Sequence, residues 1–195
     1  QAWYLSGLEK EVTIYGRPTS EQFSKLRQTR TNGLVTFSDA VLFCDDLKQA
    51  LEGAEIVVIS IPSQSLRGLM QQLSQLSMAG KTVVLCMKGI EASTGKRLTE
   101  VAEEFLPPET GLAIWVGPGH VQDFTAGIPN CMVIDSSAKE TKQFLVEQFS
   151  GSLIRFYYGE DLLGNEVGAA SKNVIGIAAG MLCLLYTSDA ADDRI

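Results

Sequence analysis

The chain has 195 residues, a formal net charge of −7, four cysteines and one histidine. That length suits one domain of ordinary size, or one domain with a piece of another, and the apolar fraction is that of a globular protein. The acidic balance argues against a general nucleic-acid binder and a polybasic membrane anchor, and a single histidine without CxxC spacing argues against a metal site such as zinc.

Ala2 to Gly7 reads as part of an amphipathic helix, and Trp3 to Leu8 is too short, and lacks the basic leader, for a signal peptide. Glu11 to Tyr15 predicts a strand, and Ser20 to Thr29 a helix with Ser20 as N-cap. Asp45 or Asp46 caps a short helix through Glu52. Glu55 to Pro62 is a continuous β-branched run, the mark of a strand buried on both faces. Ser63 or Ser65 caps a helix reaching about Gln75. Lys81 to Met87 is the next buried strand, and Leu98 to Leu106 a helix stopped by Pro107-Pro108. Leu112 to Val116 and Cys131 to Asp135 read as strands, Lys139 to Phe149 as a helix, and Ile154 to Tyr158 as a last strand. A long Gly/Ala-rich helix starts near Asp161; its run Val174 to Tyr186 is shorter than the ~20 apolar residues that span a bilayer, so no membrane insertion is expected. Cys183 to Ile195 changes character abruptly. It resembles the translation of a sequencing adapter and is set apart as a non-native tail, carrying three Asp and one Arg and so −2 of the −7.

Buried strands alternating with helices predict an α/β fold, a doubly wound, Rossmann-like, mostly parallel sheet over residues 1–158, with right-handed crossovers. The helix after it has no following strand, and residues 159–182 read as the start of an all-helical second domain. The cysteines Cys86 and Cys131 sit in apolar runs and read as buried thiols, which places the protein in a reducing, cytoplasmic setting.

Ligands of open α/β sheets bind beyond the carboxyl ends of the strands. Arg17 follows the first strand, where an arginine suits a 2′-phosphate and tilts the cofactor from NAD toward NADP. Pro62 ends the second strand, since proline cannot continue a central ladder. Lys88 follows five apolar residues directly, and Gly89 permits a sharp turn beside it. Gly117-Pro118-Gly119 ends the next strand, and its glycines open backbone N–H groups to a ligand. His120 follows; a structural hydrogen-bonding role is its default and acid-base work the alternative. Lys172 is the only charged residue between Glu166 and Asp189. A lone ammonium on a Gly/Ala surface is a candidate proton-transfer group, while a snorkelling lysine at a helix edge is the plainer reading. The Gly-x-Gly-x-x-Gly turn that opens a dinucleotide fold is not present, so the chain is expected to lack the first strand and that turn.

Five segments then carry a resemblance: EVTIYGR (Glu11 to Arg17), ALEGAEIVVISIPSQSLR (Ala50 to Arg67), KGIEASTGKRLTEV (Lys88 to Val101), VGPGHVQDFTAGIP (Val116 to Pro129) and GAASKNVIGIAAGM (Gly168 to Met181). In this order and spacing they resemble the bacterial NAD(P)-dependent glycerol-3-phosphate dehydrogenases. The resemblance implies a two-domain cytoplasmic oxidoreductase that interconverts dihydroxyacetone phosphate, a small phosphorylated three-carbon substrate, and sn-glycerol 3-phosphate for phospholipid synthesis. It also leaves a homodimer of the full-length parent open. By position it makes Lys172 the proton acceptor and Lys88 a second catalytic lysine touching substrate and cofactor. Gly117, Gly119 and Asn173 match or adjoin substrate contacts, and Arg17 and Val121 match cofactor contacts; Pro62 is assigned to the cofactor from its turn at the strand end, over the nicotinamide or ribose. Gly119 departs from the family's usual Ser or Thr, and the family's partner aspartate and its Arg-Asn phosphate grip have no counterpart here, so this polypeptide alone is expected to be an inactive fragment. A related hydroxyacid dehydrogenase or ketopantoate reductase, and a non-catalytic nucleotide-binding module, are the alternatives; the KGIE and GPGH segments speak against the reductase.

Overall fold

The computed structural model describes residues 1–119 and 121–192, with side chains through residue 182. His120 lies outside the described residues. The elements in chain order are α1 (Ala2–Ser6), β1 (Thr13–Tyr15), α2 (Glu21–Thr29), β2 (Leu42–Cys44), α3 (Leu47–Leu51), β3 (Ile56–Ile59), a 3-10 turn (Ser63–Ser65), α4 (Leu66–Leu73), β4 (Thr82–Leu85), α5 (Leu98–Glu103), β5 (Gly111–Val116), α6 (Val121–Thr125), β6 (Asn130–Asp135), α7 (Lys139–Phe149), β7 (Ile154–Tyr158) and α8 (Leu162–Asp192).

Local chemistry accounts for most boundaries. The Ser20 hydroxyl accepts from Phe23 N at 3.2 Å and starts α2, and the Asp46 carboxylate accepts from Gln49 N at 2.9 Å and starts α3. The choice between Asp45 and Asp46 thus falls on Asp46. Neither predicted serine caps α4: Ser63 opens the 3-10 turn, and Ser65 sits at the cap position without a side-chain bond. Asp161 accepts from Gly164 N at 2.9 Å and starts α8.

Five strands run in the order β3-β4-β5-β6-β7. β3, β4 and β5 are parallel, β6 is antiparallel to β5, and β7 is parallel to β6. The mostly parallel, Rossmann-like α/β architecture is therefore present. β1 and β2 pair in parallel as a separate two-stranded sheet. β2 was not anticipated: Leu42–Cys44 is too short and too little alternating to show a period. The Glu55-to-Pro62 run gives only a four-residue strand, in which Ile59 alone is buried. The reason is position, because β3 stands at the edge of the five-stranded sheet.

Alternation along the strands divides the core into two layers. Val83, Leu85, Ile114 and Val116 face α4 and α5 through Leu66, Met70, Leu73, Leu98 and Val101. Val84, Ala113, Trp115 and Ile134 face α1 and α7 through Tyr4, Leu5, Leu145 and Phe149. Aromatic rings stitch the second layer, with Trp115 against Phe149 at 5.0 Å and Phe156 at 5.2 Å between centroids. The Tyr4 hydroxyl ties α1 to the end of α7 by donating to the Phe149 carbonyl at 2.6 Å.

α8 packs on the first layer only at its beginning, through Leu162 and Ala169. Further along it is open: Val174, Ile175 and Ile177 are each at least 63% exposed. Its backbone stays helical to Asp192, through most of the segment set apart in the sequence. Among the described residues, no helix is long and apolar enough to cross a membrane.

Leu145 is fully buried between α7 and the sheet, whereas Leu163 is 58% exposed. Leu145→Ala is expected to cost about 2–5 kcal/mol of unfolding free energy in urea titration. Leu163→Ala is expected to stay within about 0.5 kcal/mol. A loss below about 1 kcal/mol for Leu145→Ala would contradict this packing.

Candidate active site

The parallel register sets the site. Ile59 pairs with Leu85, and Leu85 with Ile114. Three residues past each lie Pro62, Lys88 and Gly117 in turn, so three of the predicted residues leave the sheet at one level. Two loops are bound together there. The Gln64 side chain donates to Ile90 O at 2.8 Å and accepts from Ala92 N at 2.9 Å. Arg67 donates to both Glu91 oxygens at 2.8 Å and also grips Glu104. That guanidinium, followed by the Thr94 hydroxyl, holds the Glu91 carboxyl below its ordinary value. Arg67 and Lys96 bring Glu104 to about 2.

Gly89 explains why the Lys88 turn is tight. Its φ is +143°, and a Cβ there would stand 2.8 Å from the Ser63 hydroxyl. The Lys88 ammonium donates to Gly117 O at 3.3 Å, across the ends of β4 and β5. Burial, followed by the positive charge of Lys172, holds Lys88 below the ordinary lysine value. The two predicted lysines therefore share one field. A small cleft of about 10 Å³, room for about one water, opens beside Lys88, lined by Leu85, Met87, Lys88, Gly89, Glu166 and Ala169 among others but not by Lys172. Lys172 is one helical turn beyond Ala169 on α8 and is exposed. Burial therefore acts on Lys88, whereas Lys172 stands exposed.

The glycines of the next turn have another neighbour. A Cβ on Gly117 would run into the Met132 sulfur, and one on Gly119 would stand 2.5 Å from the Met132 methyl and 2.6 Å from the Phe124 ring. A serine or threonine at Gly119 would thus displace Phe124 or Met132. Val121 opens α6 and is 44% exposed. Asn173 is exposed and points about 100° around α8 from Lys172. Arg17 is exposed at the end of β1, in the two-stranded sheet, where its carbonyl accepts from Ser20 N at 2.9 Å. Neither Asn173 nor Arg17 lines the Lys88 cleft.

Sequence reasoning missed the groups that hold α8. Glu166 is 8% exposed; its carboxylate accepts from Thr99 N at 3.0 Å, from the Thr99 hydroxyl at 2.6 Å and from Arg97 Nη1 at 2.6 Å. Asn165 donates to Asp135 Oδ2 at 2.7 Å, and Asp135, 1% exposed, also accepts from Ser136 N at 2.8 Å and pairs with Lys142 at 3.5 Å. The available signal was Glu166 itself, a carboxylate opening an otherwise apolar helix. Its partner in α5 could not be read from spacing.

Comparison with known proteins gives a consistent picture. A family model described as the N-terminus of NAD-dependent glycerol-3-phosphate dehydrogenase matches residues 2–142. A glycerol-3-phosphate dehydrogenase [NAD(P)+] of Chlorobium phaeobacteroides (strain BS1) is 38% identical over 149 residues, 75% of this chain and 45% of the relative. One from Syntrophomonas wolfei is 32% identical over 187 residues, 93% of this chain and 54% of the relative. The chain spans about half the length of these curated relatives. In fold it is similar to a crystal structure of glycerol-3-phosphate dehydrogenase from Coxiella burnetii, with a TM-score of 0.83 at 23% identity, covering 92% of this chain and 55% of that one.

The shared field has a direct consequence. Lys172→Met removes the like charge and leaves burial in place, so the Lys88 titration moves up and stops short of the ordinary lysine value. Side-chain NMR of the lysines measures this, and an unchanged Lys88 titration would mean that the two ammonium groups do not face one cleft.

Proposed function

This chain belongs to the family of NAD-dependent glycerol-3-phosphate dehydrogenases, and from that premise we propose that its protein interconverts dihydroxyacetone phosphate and sn-glycerol 3-phosphate with NADP or NAD. The observation that carries this reading is Lys88 at a cleft beyond the carboxyl ends of parallel strands, within the field of Lys172 on α8. Such an end is where α/β sheets take nucleotides.

The residues present fit a pyridine nucleotide. Lys88 lines the cleft, Lys172 adds its charge from α8, and the buried carboxylate among the lining residues, Glu166, is already paired with Arg97, so the site favours a polyanion. Pro62, Lys88 and Val121 would hold the cofactor near its reacting end, and Arg17 would meet the adenosine end, where its charge suits a 2′-phosphate and favours NADP. When bound, the nicotinamide gives or takes the hydride.

The chain's own residues handle the proton and the substrate. Lys172 takes the proton of the C2 hydroxyl during oxidation and returns it to the ketone oxygen during reduction. That role needs an amine able to lose its proton near the working pH. Lys88 stays anchored on the Gly117 carbonyl and reaches the substrate oxygens, while the Gly117–Gly119 backbone lets the three-carbon ester approach. Asn173, next to Lys172, orients the ester.

The exposed apolar side chains of α8 support reading it as the first element of a helical second domain. The single partner of β3 and the separate β1–β2 pair support placing a further strand, with the glycine-rich turn, between them. Cys44, Cys86 and Cys131 are free thiols, Cys131 exposed on β6 rather than buried as its apolar run suggested, and free thiols support a cytoplasmic setting. A homodimer of the intact protein belongs to the same reading.

In the intact protein, Lys172→Ala is expected to abolish turnover of dihydroxyacetone phosphate and largely spare NADPH binding, measured by fluorescence titration. Turnover within about tenfold of the unmodified protein, or ~1.4 kcal/mol of barrier, would contradict the role of Lys172.

A further inference from the structure

Lys172 lies where α8 has little lateral support. Ala169 and Ala170 are half-buried, whereas Lys172, Asn173 and the residues from there through Leu182 are exposed. The position of its ammonium therefore depends on how the root of the helix is held. Two adjacent side chains hold it. Asn165 donates to the buried Asp135 at the end of β6. Glu166 accepts three hydrogen bonds from Thr99 and Arg97 at the start of α5.

Helix geometry makes the pair effective. Neighbouring residues stand about 100° apart around an α-helix, so the two anchors pull in different directions. One anchor would fix the height of the helix and leave it free to roll; two fix both. Asn165, Ala169 and Lys172 follow the i, i+4, i+7 stripe, with Ala169 lining the cleft between anchor and lysine. Asp135 is itself held rigidly, by Ser136 N and by Lys142, which also donates to Gly159 O at 2.6 Å. A Cβ on Gly159 would collide with the Asp135 carboxylate, so only glycine allows that approach.

The lever is short and steep. A side-chain tip about 6 Å from a helix axis moves roughly 1 Å for every 10° of roll. A misplacement of 1 Å at a reacting centre costs a rate factor on the order of 100.

We propose that Asn165 and Glu166 are positioning residues that fix the roll of α8 and so aim Lys172 into the Lys88 cleft. They touch no reacting atom and act through Lys172. Glu166 has a second effect. Because Arg97 pairs with it, and Arg97 also meets Glu100 at 3.3 Å, the carboxylate lines the cleft without cancelling the charge of the two lysines. The catalytic part of this inference rests on the function proposed above; the geometric part does not.

The test uses Asn165→Ala and the gentler Glu166→Gln in the intact protein, with three readouts: kcat per NADPH-titrated site, KM for dihydroxyacetone phosphate, and the Lys88 titration by side-chain NMR. The charges at that cleft are Lys88, Lys172 and the Glu166–Arg97 pair. Each variant is expected to lower kcat about 10- to 100-fold, by the misplacement estimate above. KM and the NADPH dissociation constant should stay within about threefold. In Asn165→Ala, which leaves every cleft charge in place, the Lys88 titration should rise as Lys172 swings away. The swap Asp135→Asn with Asn165→Asp restores the hydrogen bond and should recover kcat. A purely structural role would lower the melting temperature and leave both kcat per site and the Lys88 titration unchanged, which overturns the proposal. If the unmodified protein fails to turn over dihydroxyacetone phosphate, the proposed function falls, and the Lys88 titration in Asn165→Ala alone decides the positioning claim.

Discussion

Glu166 leaves water with three donors around its carboxylate, and all three belong to the entry of α5 rather than to its own helix. A buried carboxylate without such partners would cost several kcal/mol, so the side chain can be buried only where Thr99 and Arg97 wait for it. That condition fixes where α8 departs from the sheet. Asp135 and Asn165 repeat the constraint from the other side, with Asp135 one of the most completely buried charged groups described. The remaining features of the site follow from the angle these bonds impose.

Lys88 is reached from the opposite direction. The register of β3, β4 and β5 sets its level, and the loop around it is fastened by Gln64 and by the Arg67–Glu91 pair. A rigid loop can hold an ammonium on a carbonyl within the field of a second ammonium, an arrangement that a mobile chain would relax. The burial and like charge that disfavour the charged form of Lys88 are small destabilising terms, supported by the two packed layers beneath. Concentrating such terms at a strand terminus is the pattern of a site, because the core itself avoids them.

Much of this was legible in the sequence, for physical reasons that differ from element to element. β4 and β5 could be read because strands buried on both faces need unbroken apolar runs, as in Val83 to Leu85. α2 and α3 could be read because Ser20 and Asp46 are side chains that satisfy helix N-termini. The ends of the strands could be read because Pro62 and the Gly117–Gly119 turn cannot continue a ladder. β2 escaped because three residues carry no period, and β3 was overestimated because an apolar run does not reveal which strand becomes the sheet edge. At the site, Lys88 and Lys172 stood out as charges in apolar surroundings. Their anchors did not: the Glu166–Thr99 and Asn165–Asp135 bonds join residues 67 and 30 positions apart, and such pairs exist only once the sheet is formed.

The account depends on the carboxyl ends of β3, β4 and β5 being the mouth of a nucleotide site. A crystal of the intact protein grown with NADPH tests this most directly. Density for the nucleotide is predicted along Pro62, Lys88 and the Gly117 turn, with Lys172 facing the nicotinamide. Density confined to the opposite end of the sheet, in the open hollow beside Lys48, Gly53 and Lys81, would contradict it.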